Sequence, residues 1–112
     1  VFRGDITPAI RAHGVSAYGH TVTPPGGFGF DVAERLVMTE VEVYRRAGDA
    51  KVQMKVTYEI GVTPDMLDVA GRLHGGCAVF LIDTCSSVAL DYLGMVLGRH
   101  TPLVSQALNT IF

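Results

Sequence analysis

The chain has 112 residues, and 48% of them are hydrophobic, so its composition predicts at most one domain and a globular chain rather than a disordered one. The 9 basic and 11 acidic residues leave a net charge of −2, which gives no electrostatic reason to expect nucleic acid or an anionic membrane as a partner.

The first 30 residues are rich in Gly, Pro, His and Ser and show no sustained hydrophobic period. We therefore interpret residues 1–30 as an N-terminal arm and residues 31–112 as the folded domain. At the start of that domain, Asp31 is a candidate N-cap for a short helix over "VAERL".

Two alternating segments follow. In residues 39–45, Val41 and Val43 share one face, and residues 51–60 place five apolar side chains on one face: Val52, Met54, Val56, Tyr58 and Ile60. Because "RRAGDA" between them has the composition of a turn, these segments predict an antiparallel hairpin with one buried face, followed by a loop over residues 61–72.

Residues 75–93 predict one long, mostly buried helix. Its apolar positions cover most of the circumference, and a narrow polar stripe contains Asp83, Thr84, Ser87 and Asp91. These polar residues interrupt the apolar run, so we predict no membrane span. Cys77 and Cys85 would lie about 12 Å apart along this helix, too far for a disulfide, which suits a reducing, intracellular compartment.

The last segment, residues 103–112, predicts a third strand. Three strands are too few to wrap a long apolar helix, and the third would leave one edge unpaired. We therefore expect the domain to be incomplete at its C-terminus, with further strands supplied by a longer natural chain or by another polypeptide.

The segment "GRLHGGCAVFLID" carries the candidate chemistry. A helix start leaves N–H groups without partners and favours negative charge, so Gly75 and Gly76 are candidate donors to a carbonyl oxygen that becomes an oxyanion. A carboxylate buried in an apolar helix is a candidate general base, and Asp83 occupies that position. Gly75 and Asp83 would lie about 12 Å apart, so a site that uses both requires two antiparallel helices from two chains.

Three simpler interpretations stand beside this one. The two glycines are also typical of an ordinary turn, and His74 is equally suited to hold that turn by hydrogen bonding. The polar stripe around Asp83 is also typical of a solvent-facing side of a helix. No nucleophile elbow surrounds the helical serines, and no metal-ligand spacing relates the histidines of the predicted loops, His13, His20 and His100, so we predict no metal site.

The order of hairpin, "LHGGCAVFLID", long helix and "VSQALNTIF" resembles the hotdog-fold acyl-coenzyme A thioesterases, in particular the phenylacetate-type and acyl-coenzyme A thioesterase 13-like subgroup. The resemblance covers about residues 30–112. It implies an α+β hotdog fold, in which an antiparallel sheet wraps one central helix, and active sites that lie between the subunits of a homodimer or tetramer.

The resemblance also implies residue roles. Gly75 matches the backbone donor to the oxyanion, with Gly76 beside it at the substrate, and His74 matches the residue that shapes this loop. Asp83 matches the carboxylate that activates water or attacks the thioester, and Ser105 matches a hydroxyl that orients the water.

The implied function is hydrolysis of acyl-coenzyme A to a free acid and coenzyme A, in lipid metabolism, without a cofactor, in the cytoplasm or mitochondria. Asp68 occupies a substrate-binding position where the family often has Asn or Gln, and a carboxylate cannot donate the amide hydrogen bond of those residues. The alternative function is therefore a non-catalytic module that binds acyl-coenzyme A or supports assembly on the same fold. A hotdog dehydratase would need a His and Glu set that the sequence does not show at the corresponding positions.

Overall fold

The computed structural model describes residues 2–3, 24–98 and 107–111. In chain order these form strand β1 (Phe2–Arg3), helix α1 (Phe30–Ala33), strands β2 (Val37–Arg45) and β3 (Val52–Glu59), a 3-10 turn (Pro64–Met66) and helix α2 (Gly75–Val96). The architecture is α+β, with a two-stranded antiparallel hairpin that packs against one long helix. The sequence predicted this order of hairpin, loop and helix.

The β2–β3 hairpin follows the predicted alternation. Val41 pairs with Val56 and Val43 pairs with Met54, so the apolar side chains of the two strands share one face of the sheet. The register shifts between Met38 and Glu40, which marks a bulge near the start of β2. The two residues of β1 add a short parallel pairing to the other edge of β2, which the absence of a period in the N-terminal arm did not predict.

The core lies between this hairpin and α2. Val41 of β2 and Tyr92 of α2 are each only 1% exposed, which makes them the centre of the packing. Partly buried apolar side chains from both strands and from the last turns of α2 surround them: Met38, Met54, Val56, Val88, Met95 and Val96. The C-terminal half of α2 is therefore held against the hairpin by apolar burial.

The prediction of a mostly buried helix is wrong for the described residues. Only Thr84 and Tyr92 of α2 are buried, whereas Ile82 and Leu90 are 43% and 52% exposed. The physical reason is geometric, since the hairpin contacts one side of a helix whose apolar positions extend around most of its circumference.

Two further predictions require correction. Residues 107–111 have no regular secondary structure, although the sequence predicted a strand over residues 103–112. An apolar run becomes a strand only where a neighbouring strand takes up its N–H and C=O groups, and none of the described strands pairs with it. Helix α1 begins at Phe30, one residue before Asp31, and its N-cap is Gly29 in the left-handed conformation.

Candidate functional site

His74 is the N-cap of α2. Its backbone is extended, its carbonyl oxygen accepts the N–H of Ala78 at 3.0 Å, and its imidazole Nδ1 accepts the N–H of Gly76 at 2.9 Å. Nδ1 is thus the ring nitrogen that serves as the acceptor of the cap. The side chain of His74 thus holds the turn by a hydrogen bond, which was one of the alternatives from the sequence, and the bond that it makes is a helix N-cap.

The cap leaves the N–H of Gly75 available. The N–H of Gly76 is directed to His74, while the N–H groups of Gly75 and Cys77 have no hydrogen-bond partner within the part of the chain that the structure describes. Both lie in the first turn, where the helix dipole favours negative charge. The start of α2 can therefore present backbone donors to an anion or to a polarised carbonyl oxygen.

The loop before α2 is fixed to the helix start by backbone bonds. The N–H of His74 donates to the carbonyl oxygen of Met66 at 2.8 Å, and Leu67 pairs with Leu73 in an isolated bridge. Met66 is only 1% exposed, so this attachment point is itself held by burial. The position of the Gly75 amide thus depends on the position of the 3-10 turn.

Asp68 organises this loop from within. Its Oδ1 accepts the N–H of Ala70 at 2.8 Å and the N–H of Arg72 at 3.0 Å, and its Oδ2 lies 3.5 Å from Nε of Arg72. These are the bonds of an aspartate that holds a turn. The resemblance placed Asp68 at the substrate, but in the structure its carboxylate is engaged with its own loop.

Arg35, Thr63 and Asp65 form a polar cluster beside the same loop. Nη2 of Arg35 donates to both carboxylate oxygens of Asp65, at 3.1 and 2.9 Å, and Nη1 donates to the hydroxyl of Thr63. The hydroxyl of Thr63 donates to Asp65 as well, and these hydrogen bonds, Thr63 first and then Arg35, lower the pKa of the Asp65 carboxyl. The sequence did not predict this cluster, because nothing in a single sequence pairs residues that are 28 and 30 positions apart.

Cys77 lies in the first turn of α2, but its environment does not activate the thiol. Burial raises the pKa of Cys77, the negative charge of Asp65 raises it further, and the positive charge of Arg35 opposes this effect. The thiolate is the nucleophilic form of cysteine, and a raised pKa depletes it at neutral pH. Cys77 is therefore a poor candidate for a covalent step.

Asp83 lies two turns further along α2 and is half-buried. The helix is continuous between Gly75 and Asp83, so a rise of 1.5 Å per residue separates them by about 12 Å along the axis. The hydroxyls of Ser86 and Ser87 donate to the backbone carbonyl oxygen of Asp83, at 3.1 and 2.7 Å. These serines therefore bond to their own helix, which is the ordinary behaviour of serine inside a helix.

The structure thus brings His74, Gly75 and Gly76 together at the helix start and keeps Asp83 apart from them. Ser105, the candidate water-orienting hydroxyl, lies outside the described residues, as do His13, His20 and His100. Among the described residues, no three His, Cys, Asp or Glu side chains are grouped as a metal site would require.

An aromatic contact covers the next turn of the helix. The rings of Phe28 and Phe80 meet edge to face with their centroids 5.6 Å apart, and the Phe80 ring lies directly against the backbone of Gly29. The segment before α1 thereby contacts α2 within two turns of the candidate donors.

Comparison with protein-family models, with curated proteins and with solved structures found no match for this chain. Within the described residues, α2 is long and apolar enough to span a membrane. Core helices of soluble proteins meet the same criterion of length and composition, so it does not by itself assign α2 to a membrane.

Proposed function

We propose that this chain is a hotdog-fold acyl-coenzyme A thioesterase that hydrolyses an acyl thioester to the free acid and coenzyme A. The single observation that carries the proposal is the start of α2, where His74 caps Gly76 and leaves the N–H of Gly75 open. The hairpin against one long helix is compatible with part of a hotdog arrangement.

The proposed reaction uses the Gly75 N–H of one subunit and the Asp83 carboxylate of another, because the two are far apart on one helix. The thioester carbonyl oxygen accepts the Gly75 N–H, which stabilises the oxyanion as the carbonyl carbon becomes tetrahedral. Asp83 of a second subunit removes a proton from water as the water oxygen attacks that carbon. The carbon–sulfur bond then breaks, the coenzyme A thiolate leaves, and it takes up a proton.

Direct attack by the Asp83 carboxylate is the other form of the same reaction. It forms a mixed anhydride and releases the thiolate, and water then hydrolyses the anhydride. Neither form calls for a metal ion or an organic cofactor. Both require two chains, because the 12 Å between Gly75 and Asp83 on one helix exceeds the reach of a single reacting carbon.

The assembly implied is a homodimer or a tetramer, with acyl-coenzyme A as the small-molecule partner and neither a nucleic acid nor a membrane span. The exposed Ile82 and Leu90 on α2 favour such an assembly, because a second subunit would cover apolar surface that the hairpin leaves open. A cytoplasmic or mitochondrial site of action accompanies this proposal.

The second candidate function is a non-catalytic acyl-coenzyme A-binding or assembly module. It is favoured by one specific observation, the engagement of the Asp68 carboxylate with the backbone of its own loop. A carboxylate has no N–H to donate, so it cannot polarise a carbonyl as an amide side chain would.

A thiol-release assay over acyl-coenzyme A substrates of increasing chain length tests the proposal, with coenzyme A detected by a thiol reagent. We expect saturable, chain-length-dependent release. Saturable binding of acyl-coenzyme A in a calorimeter without thiol release would favour the binding module. Neither binding nor release, across short, long and aromatic acyl groups, would contradict both functions.

A further inference from the structure

Arg35 is the most extensively bonded side chain near the helix start. Besides the two bonds to Asp65 and the bond to Thr63, its Nε donates to the carbonyl oxygen of Asp31 at 2.8 Å. All three nitrogens of the guanidinium group are therefore used, one of them on the turn that begins α1 and two on the loop before α2. A lysine has one ammonium group and cannot reproduce this planar fork.

The bonds continue from this cluster to the candidate oxyanion donor. Asp65 is part of the 3-10 turn, whose Met66 N–H donates to the carbonyl oxygen of Thr63 at 2.9 Å. The Met66 carbonyl oxygen then accepts the N–H of His74, which is the residue that precedes Gly75. Each link is a hydrogen bond between neighbouring groups, so a shift of the 3-10 turn moves the backbone at His74 with it.

We propose that Arg35 and Asp65 act as a positioning pair that fixes the His74–Gly75 backbone against the rest of the domain. The expected loss of turnover rests on the proposed thioesterase function, whereas the expected change in the backbone at His74 and Gly75 does not. Neither residue touches the reacting atoms, so both are positioning residues and neither is catalytic.

Because Arg35 and Asp65 are exposed, we expect their loss to affect the position of the loop more than the stability of the fold. The side chains of Arg35 and Asp65 are 30% and 53% exposed, and ion pairs this open to water contribute little to the stability of a fold. The placement of a catalytic donor is far more demanding, because a displacement of about 1 Å can cost on the order of 100-fold in rate. Loss of the pair is therefore expected to lower turnover with little change in melting temperature.

The chain offers a matched control. Arg46 and Asp49 form an exposed arginine–aspartate pair in the turn between β2 and β3, with 55% and 33% exposure. Arg46→Ala removes a comparable pair, and among the described residues the side-chain bonds of Arg46 and Asp49 stay within the turn between β2 and β3. The test compares Arg35→Ala, the milder Arg35→Lys, Asp65→Ala and the Arg35→Ala/Asp65→Ala double variant with Arg46→Ala.

Two readouts are measured on each full-length variant. In steady-state thiol release we expect Arg35→Ala and Asp65→Ala each to lower kcat about tenfold with KM changed less than about threefold, and the double variant to be no slower than either single one. In the NMR spectrum, we expect the N–H residual dipolar couplings of Gly75 and Cys77, which report bond orientation and not nearby charge, to change in Arg35→Ala, to change less in Arg35→Lys, and to stay the same in Arg46→Ala.

The two readouts distinguish the possible failures. If the wild-type chain releases no thiol, the proposed function fails, and the Gly75 and Cys77 amides alone decide the inference: changed N–H residual dipolar couplings support the positioning pair and unchanged ones overturn it. If the wild type is active, Arg35 variants whose kcat and residual dipolar couplings match those of Arg46→Ala overturn the inference. If Arg35→Ala does not fold, the same comparison is made with Arg35→Lys.

Discussion

The capping bond of His74 can be tested with two variants that lack the imidazole, of which only one keeps a hydrogen-bond acceptor at position 74. His74→Ala removes the acceptor for the Gly76 N–H, while the backbone bond from His74 to Met66 remains possible. His74→Asn restores an acceptor, since asparagine is among the best N-cap residues. The two variants therefore differ in capping, and neither contains an imidazole.

The magnitude follows from the geometry. Loss of a side-chain N-cap costs between about 0.5 and 2 kcal/mol, and the exposure of His74 lets water replace part of the bond, so we expect His74→Ala to lose about 1 kcal/mol. In a chain of this size that loss lowers Tm by roughly 4 °C. His74→Asn should melt within about 1 °C of the wild type.

We expect the turnover of the same two variants to depend on the cap as well. An uncapped first turn frays and no longer holds the Gly75 N–H in place, so kcat for thioester hydrolysis should fall roughly tenfold in His74→Ala and less than about threefold in His74→Asn. Melting curves and steady-state thiol release on both variants measure this. A His74→Ala protein as stable as the wild type would refute the capping argument. A stable but inactive His74→Asn protein would show that the imidazole itself takes part in the chemistry.

Three further predictions concern other parts of the site. Gly29→Ala should destabilise the chain by roughly 2–3 kcal/mol, for two reasons. Alanine is strained at the left-handed φ of 73°, and its Cβ would lie 2.7 and 2.8 Å from atoms of the Phe80 ring. Gly26→Ala, with a φ of 80° and open space around it, should lose only about 1 kcal/mol. Urea titrations of both variants measure this, and equal losses would contradict the close approach of Phe80. The pKa of the Asp65 carboxyl, followed by NMR, should lie below the ordinary aspartate value of about 3.9. The carboxylate then contributes its full stabilisation above the ordinary pKa, and this contribution is lost as the pH falls through the lower pKa of the folded state. An ordinary pKa would contradict the bonds of Asp65 to Thr63 and Arg35. Mixing an inactive Asp83→Asn protein with an inactive variant altered at Gly75 should restore part of the activity, and no restoration between subunits shown to exchange would count against a shared site.

The elements with strong periods were predictable from the sequence. The alternation around Val41 and Val43 indicated the hairpin, and the change to a helical period at Gly75 located the start of α2 to the residue. These features depend on local periodicity, which a single sequence contains in full. The strand predicted over residues 103–112 depended in addition on a neighbouring strand, and the described part of it, residues 107–111, has none.

The site was predictable only in part, because a single sequence contains local patterns but not the contacts between distant segments. The residues around the helix start are consecutive in the chain, so "LHGG" indicated a helix start and offered, as an alternative, a turn that His74 holds by hydrogen bonding. Which of the two glycines keeps its N–H open was decided by the orientation of the His74 ring, which no sequence pattern specifies. The contact of Arg35 with Asp65 arises only when α1 and the loop before α2 meet in space.

The central claim is that a carboxylate on α2 carries out thioester hydrolysis, and Asp83→Asn tests it most directly. Asparagine keeps the size of the side chain and removes its charge and basicity. We expect kcat for acyl-coenzyme A hydrolysis to fall at least about 100-fold in Asp83→Asn, with the circular dichroism spectrum and Tm retained. Asp91→Asn is the matched control, because Asp91 lies on the same helix and is also half-buried, and it should keep wild-type turnover. A folded Asp83→Asn protein with near-wild-type turnover would contradict the claim.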